Sequence, residues 1–268
     1  MTPTAQDKDF PWWLVVLVAI GVFVGVQIAI SDLYAQIFET VIKGVRITAL
    51  VTVFAFLAAS SIGLLLAVMS LSGSLILRQI ARFYIEVVRG IPILVLLFYI
   101  AFAGAPLLIA LINTIVEPLG LDPWRTRDIP LLWRAVLALT IGYSAFIAEV
   151  FRAGIQSVDR GQIEAAKALG FSGWQRFRLI VLPQALRTIL PPLGNDFVAL
   201  VKDSSLVSVL GVADVTQLGK IYASGSFRYM ETYNIVAVIY LMMTVTLSLG
   251  LRALERRMRN RTPGHGDD

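Results

Sequence analysis

The chain holds 41 charged side chains in 268 residues, and a few of them interrupt apolar runs. Those are the positions where chemistry is to be sought, because a charge among lipid-facing side chains is costly unless it is paired or faces water. Glu86 and Arg89 stand three residues apart, as do Glu149 and Arg152. Tyr143 and Ser144 lie near the middle of another apolar run, and Lys202, Asp203, Ser204 and Ser205 follow one another inside a third. At a spacing of three, an acid and a base share a helix face, so an intrahelical ion pair and a contact with a charged solute are both open to each pair. Adjacent residues point about 100° apart on a helix, so Lys202 and Asp203 cannot easily satisfy each other. Enzyme chemistry is poorly equipped. Cysteine is absent and the one histidine is His265, read as a solvated tail residue, which excludes a thiol nucleophile and a cysteine zinc site. Gly219-Lys220 is followed by Ile221 and preceded by Asp214 five positions earlier, so the phosphate-loop pattern fails.

A different kind of constellation runs from Gln162 to Pro183. It is a long, charge-bearing amphipathic stretch between strongly apolar ones. Glu164, Ala165 and Ala166 open it, Gly170 and Gly173 break it, and Ile180, Leu182 and Pro183 close it. Small side chains allow another surface to approach, and Gly170 lets a short helix stop and turn. From Gly173 onward, Trp174, Phe177, Ile180 and Val181 recur at helical spacing with Arg176 and Arg178 between them. The spacing predicts two short helices lying at a membrane surface.

The elements that position these residues follow from composition. Hydrophobic residues make up 57% and charged residues 15%, with a mean hydropathy of +0.77; a soluble domain carries about 25% charged residues. Several runs approach the ~20 apolar residues that cross a bilayer. The expected fold is all-α: a polytopic membrane bundle of about six spans, at 14–30, 47–71, 83–104, 131–151, 189–212 and 232–251. Ser60, Ser61 and Gly63 suit close helix packing in the second span. Residues 1–10 read as a polar segment and not as a cleavable signal, since Lys8 sits between Asp7 and Asp9. Orientation follows from basic loops, which mark the cytoplasm. Arg78 and Arg82, then Arg152, Arg160, Lys167, Arg176, Arg178 and Arg187, then Arg252, Arg256, Arg257, Arg259 and Arg261 fall on one side. That places Glu164 and both termini inside and Asp122 outside.

Taken together, Glu164-Ala165-Ala166, three residues, Gly170, nine residues, Ile180, and Leu182-Pro183 resemble the EAA loop of binding-protein-dependent ABC transporter permeases. The segments Glu86–Pro92, Glu149–Gly154, Pro183–Arg187 and Lys202–Leu206 resemble the polar amino-acid branch of that family, the histidine, glutamine and glutamate type. The likeness covers 44–257, flanked by an additional N-terminal span within 1–43 and a flexible cytoplasmic tail, 258–268. Ile91 departs from the threonine of many members.

The resemblance implies a bacterial inner-membrane permease with no cofactor of its own and no nucleic-acid partner. ATP and Mg would be bound by partner ATP-binding cassette subunits, each receiving an EAA helix through Glu164, Ala165, Ala166, Gly170, Ile180, Leu182 and Pro183. A second permease subunit, identical or paralogous, would complete the pore, and a periplasmic solute-binding protein would deliver the amino acid. Substrate pathway residues would be Glu86, Tyr143, Ser144, Glu149, Lys202, Asp203 and Ser204, since an amino acid's ammonium and carboxylate match an anion and a cation. Three alternatives stand beside this. Glu164 is a helix-capping acid; Lys202 and Asp203 brace neighbouring helices; or the chain is an ion-gradient-driven carrier with Glu86, Glu149 or Asp203 as its proton site. A membrane scaffold leaves the polar run 189–212 unexplained.

Overall fold

The computed structural model describes residues 12–259, which form helices and turns without a strand. The polar segment 1–10, the tail from 260 and His265 lie outside the described residues. The order is α1 (Trp12–Ile30), α2 (Asp32–Val41), α3 (Gly44–Ser70), α4 (Leu75–Gly90), α5 (Ile93–Tyr99), α6 (Ala105–Val116), α7 (Leu131–Gln156), α8 (Arg160–Ala168), α9 (Gly173–Arg176), α10 (Leu182–Asp203), α11 (Val215–Ser226) and α12 (Tyr229–Arg259).

Among the described residues, five segments are long and apolar enough to cross a membrane: Trp12–Ile30, Asp32–Ser70, Ile93–Leu119, Leu131–Gln156 and Tyr229–Arg256. Two expected spans sit differently. The third does not start at Phe83. Its charged first half belongs to α4, which ends at Gly90 before Pro92, and the apolar crossing begins at Ile93 and runs on through α6. The expected span 189–212 is not among the five. Its residues form the polar end of α10 and a 3-10 stretch, Ser204–Leu210, packed inside the bundle.

The centre is α7, whose most apolar window is 67% buried, against 6% for α1. Val51, Ala55 and Ala59 of α3 pack on Leu139, Tyr143 and Ile147 of α7. Small residues let the two backbones close up: a Cβ on Gly63 would meet Ile147 Cγ2 at 2.9 Å and the Ser144 carbonyl at 3.0 Å. A second cluster joins α1, α2, α11 and α12 through Val24, Ile37, Val41, Val215 and Ile235. There the Arg252 guanidinium lies 5.6 Å from the Trp13 ring centre, a cation–π contact.

Asp214 ties α11 to α12. It is fully buried and caps α11, accepting from the Gln217 amide at 2.8 Å and from the Tyr240 hydroxyl at 2.9 Å. Burial pushes its carboxyl above the usual range, against the opposing pull of these hydrogen bonds. Arg134, buried at the start of α7, donates to the carbonyls of Ile129, Ala101 and Thr126 and so fastens the loop before α7 to the preceding span.

Two helices widen into a π turn, Ile100–Gly104 and Phe177–Val181, and each turn is followed after one residue by a proline, Pro106 and Pro183. A proline has no N–H and its ring crowds the carbonyl four residues back, so a wider turn just before it lets the helix continue. Pro183 therefore does not close the amphipathic stretch, as its position suggested: the helix passes through it into α10.

Candidate functional site

The amphipathic stretch folds as a helix, a left-handed turn and a second helix. Asp159 caps α8 by accepting from the Gln162 amide at 3.0 Å. Glu164 is thus not the capping acid; it sits mid-helix with an exposed side chain, beside exposed Ala165 and buried Ala166. At Gly170, φ is +81°. The Gly170 amide reaches the Lys167 carbonyl at 3.0 Å and the Phe171 amide reaches Ala166 at 3.0 Å, which satisfies the orphan carbonyls of the helix end. Ser172 and Gln175 then cap α9 reciprocally. Trp174 and Phe177 stay exposed with ring centres 5.8 Å apart, while Ile180 and Val181 turn inward onto Val158, Ala185 and Ile189. The segment is tied to α10 where Gln184 Nε2 donates to Gln162 Oε1 at 2.7 Å, and the end of α7 is tied to α10 where the Ser157 hydroxyl donates to Thr188 Oγ1 at 3.2 Å.

The pathway residues divide into two groups. The first surrounds a cavity of about 370 Å³ between α3, α4 and α7, lined by Ser70, Arg82, Ile85, Glu86, Arg89, Glu149, Arg152 and Gln156. Glu149 pairs with Arg152 at 2.5 Å, and Arg152 also reaches Gln156 at 2.8 Å. Glu86 and Arg89 do not form the matching pair: Arg89 lies over the Phe146 ring, 5.5 Å from its centre, and Glu86 is exposed toward the cavity. Both signs of charge therefore face one water-accessible space. Ser144 belongs on this side too, linked to the Tyr84 hydroxyl at 2.8 Å. Burial raises the Tyr84 phenol above its ordinary value.

The second group lies between α7 and α10. Tyr143, half-way along α7, donates its hydroxyl to Asp203 Oδ2 at 2.8 Å. Ser204 is buried and donates to the Val201 carbonyl at 2.7 Å. Lys202 is exposed, and the two ion pairs among the described residues, Arg152–Glu149 and Arg228–Glu231, do not include it. Tyr143 and Ser144 therefore serve different sides of α7, as a 100° step requires.

Gln156 and Tyr84 are absent from the sequence reading, and Arg82 enters it only as a cytoplasmic loop cation. A signal was present: 82, 86, 89 and 149, 152, 156 each mark one polar stripe on an otherwise apolar helix. Asp196 belongs to the polar run 189–212 but not to the expected pathway residues; it lies seven residues before Asp203 on the same face of α10, and its Oδ2 is buried without a hydrogen-bond partner.

Residues 59–260 match the family model of the binding-protein-dependent transport system inner membrane component. The chain belongs to that family. This permease is 38% identical over 218 residues to the glutamine transport system permease protein GlnP of Escherichia coli (strain K12), covering 81% of this chain and 92% of the relative. It is 36% identical over 221 residues to the probable amino-acid permease protein YxeN of Bacillus subtilis (strain 168), covering 82% and 92%. Among solved structures, the crystal structure of an amino acid ABC transporter with histidines superposes with a TM-score of 0.69 at 39% identity, covering 84% of this chain and 95% of that one. Family membership makes the permease a non-enzymatic subunit of a multi-pass membrane transport system and decides against the ion-gradient-driven carrier.

Proposed function

We propose that this permease is the membrane-spanning subunit of an ATP-driven importer of polar amino acids in a bacterial inner membrane. The observation that carries the substrate class is the mixed-charge cavity of Glu86, Arg89, Glu149 and Arg152, in a chain whose relatives are named for glutamine and amino-acid transport. A zwitterion offers an ammonium to the carboxylates and a carboxylate to the guanidinium groups, and such charge-assisted bonds are the strong ones. Because Glu149 and Arg152 already satisfy each other, a solute that enters exchanges partners and brings no uncompensated charge into the apolar bundle. Tyr143, Asp203, Lys202 and Ser204 form a second station of the pathway, with Ser144 joining the two through α7.

ATP and Mg belong to partner ATPase subunits. Each takes the exposed face of Glu164, Ala165 and the Trp174–Phe177 pair, with Gly170, Ile180, Leu182 and Pro183 fixing the angle between the two helices. A second permease subunit completes the pore, a periplasmic binding protein delivers the solute, and, with the polar α10 crossing as a sixth span beside the five apolar ones, both termini lie in the cytoplasm. Residues 44–257 are the transport unit, preceded by the additional helix within 1–43 and followed by the tail 258–268.

The test is purification from native membranes with the copurifying chains, then reconstitution. An ATPase chain should copurify, and uptake of a labelled polar amino acid should require ATP and the binding protein. Uptake driven by an ion gradient alone, with no ATPase recovered, would overturn the reading.

A further inference from the structure

The cavity beside α4 is not balanced in charge. Arg82, Arg89 and Arg152 line it together with Glu86 and Glu149, so guanidinium groups outnumber carboxylates by one. On the α7 wall, Glu149 and Arg152 pair with each other. The α4 wall differs. The two ion pairs among the described residues, Arg152–Glu149 and Arg228–Glu231, include neither Arg82 nor Glu86, although these two stand one helical turn apart. A base placed before its acid is the poorer order for such a pair. Arg89 rests over the Phe146 ring, 5.5 Å from its centre, a contact through the ring face that occupies none of its N–H donors. Three charges therefore stand ready on α4, in the order cation, anion, cation. Steps of four and three residues set Arg82, Glu86 and Arg89 on one stripe, and from first to last they cover about 10.5 Å of the helix axis. Ala81 and Val88 are buried in the bundle, which holds that stripe toward the cavity.

We propose that this stripe selects an acidic amino acid, aspartate or glutamate, whose ammonium stands between two carboxylates. The inference rests on the polar amino-acid reading above and names the substrate class within it. The ammonium takes Glu86, the α-carboxylate takes Arg89, and the side-chain carboxylate takes Arg82. An acidic amino acid carries a net charge of about −1 at neutral pH, which cancels the extra guanidinium. A neutral amino acid leaves that charge uncompensated, and a basic one adds to it. The side-chain amide of glutamine can accept from Arg82, but a bond between two charged groups is the stronger. The volume of about 370 Å³ lies at the small end of ligand sites, which run from about 300 to 1,000 Å³. Arg82 is thereby assigned as a specificity residue.

Equilibrium binding of radiolabelled glutamate, aspartate, glutamine, histidine and lysine to the purified permease–ATPase complex, without the binding protein, reads the preference of the permease itself. Glutamate should bind about tenfold more tightly than glutamine, the margin between a charge-assisted and a neutral hydrogen bond. Arg82 is exposed, so its replacement leaves the packing intact. Arg82→Gln should weaken glutamate about tenfold and erase the margin. Arg82→Glu makes the order anion, anion, cation, and should favour lysine over glutamate. If glutamine, histidine or lysine binds the wild-type complex as tightly as the two acidic amino acids, or if Arg82→Gln keeps the margin, the charge assignment is wrong while the polar amino-acid reading stands. If none of the five binds, the cavity is not a substrate site, and its place in the proposed function falls with the proposal.

Discussion

Asp203 keeps one neighbour and loses another. It accepts the Tyr143 hydroxyl at 2.8 Å, while the adjacent Lys202 stays exposed and outside any ion pair among the described residues. The bracing alternative in its sequence form, an ion pair to a neighbouring helix, is replaced by a neutral donor on a charged acceptor. Such a bond is worth about 1.5–3 kcal/mol, so Tyr143→Phe should both lower stability by about that amount and free the carboxylate. Asp203→Asn keeps the shape and removes the charge. We expect Tyr143→Phe, Asp203→Asn and Lys202→Met to assemble normally and to change the substrate dependence of ATP hydrolysis in reconstituted transporter. Wild-type affinity and selectivity in all three place the second station elsewhere. The chemistry at this scale was largely legible, since a polar residue inside an apolar run declares itself. What it binds was not: spacing on one helix told nothing of Phe146 beneath Arg89 or of Tyr84 beside Ser144, because those contacts are made across helices.

At the scale of the element, the coupling segment depends on one backbone conformation. Gly170 sits at φ +81° with open space around it, so a side chain there meets backbone strain and not a clash. Gly170→Ala should therefore cost about 1 kcal/mol of local stability, and Gly170→Arg should add bulk on the docking face. Glu164→Lys reverses the exposed charge beside it. Both Glu164→Lys and Gly170→Arg should insert at normal levels and abolish transport, read by comparing membrane abundance with ATP-dependent uptake. Retained coupling in both variants would remove this segment from the transmission route. The helix–turn–helix was legible because glycine and small residues punctuate it. Its continuation through Pro183 was not, since a proline ordinarily ends a helix and only the preceding π turn absorbs it. The same rule misled at α4. Glu86 and Arg89 read as the polar entry to a span, but they lie on an amphipathic helix whose break at Gly90–Pro92 precedes the crossing.

For the whole molecule, the five long apolar segments and the buried polar α10 make a bundle in which α7 is central and α1 peripheral. The charge bias predicts which way it faces. Single cysteines at positions 122 and 164 should label from opposite sides of the membrane, 122 from outside and 164 from the cytoplasm; a residue 122 that reacts only from the cytoplasmic side inverts the topology. Composition disclosed the class of fold at once, because 57% hydrophobic residues cannot be hidden in a soluble chain of this length. The order of packing could not be read from the sequence, because every span is apolar and the small residues that select neighbours differ little from one helix to the next.

The contact between Trp13 and Arg252 has a consequence for how the molecule is made. The first described helix rests on the last, with Val24 buried in a cluster completed by Ile235, Val236 and Ile239. Chains emerge from the ribosome N-terminus first. α1 therefore enters the bilayer beside α2 and waits while the intervening spans are threaded, its berth on α12 appearing only after them. Until then its exposed flank is wrapped in lipid or in the insertion machinery. A stall in synthesis before residue 229 leaves a chain whose opening helix has nowhere to dock, and quality-control proteases would meet that helix first.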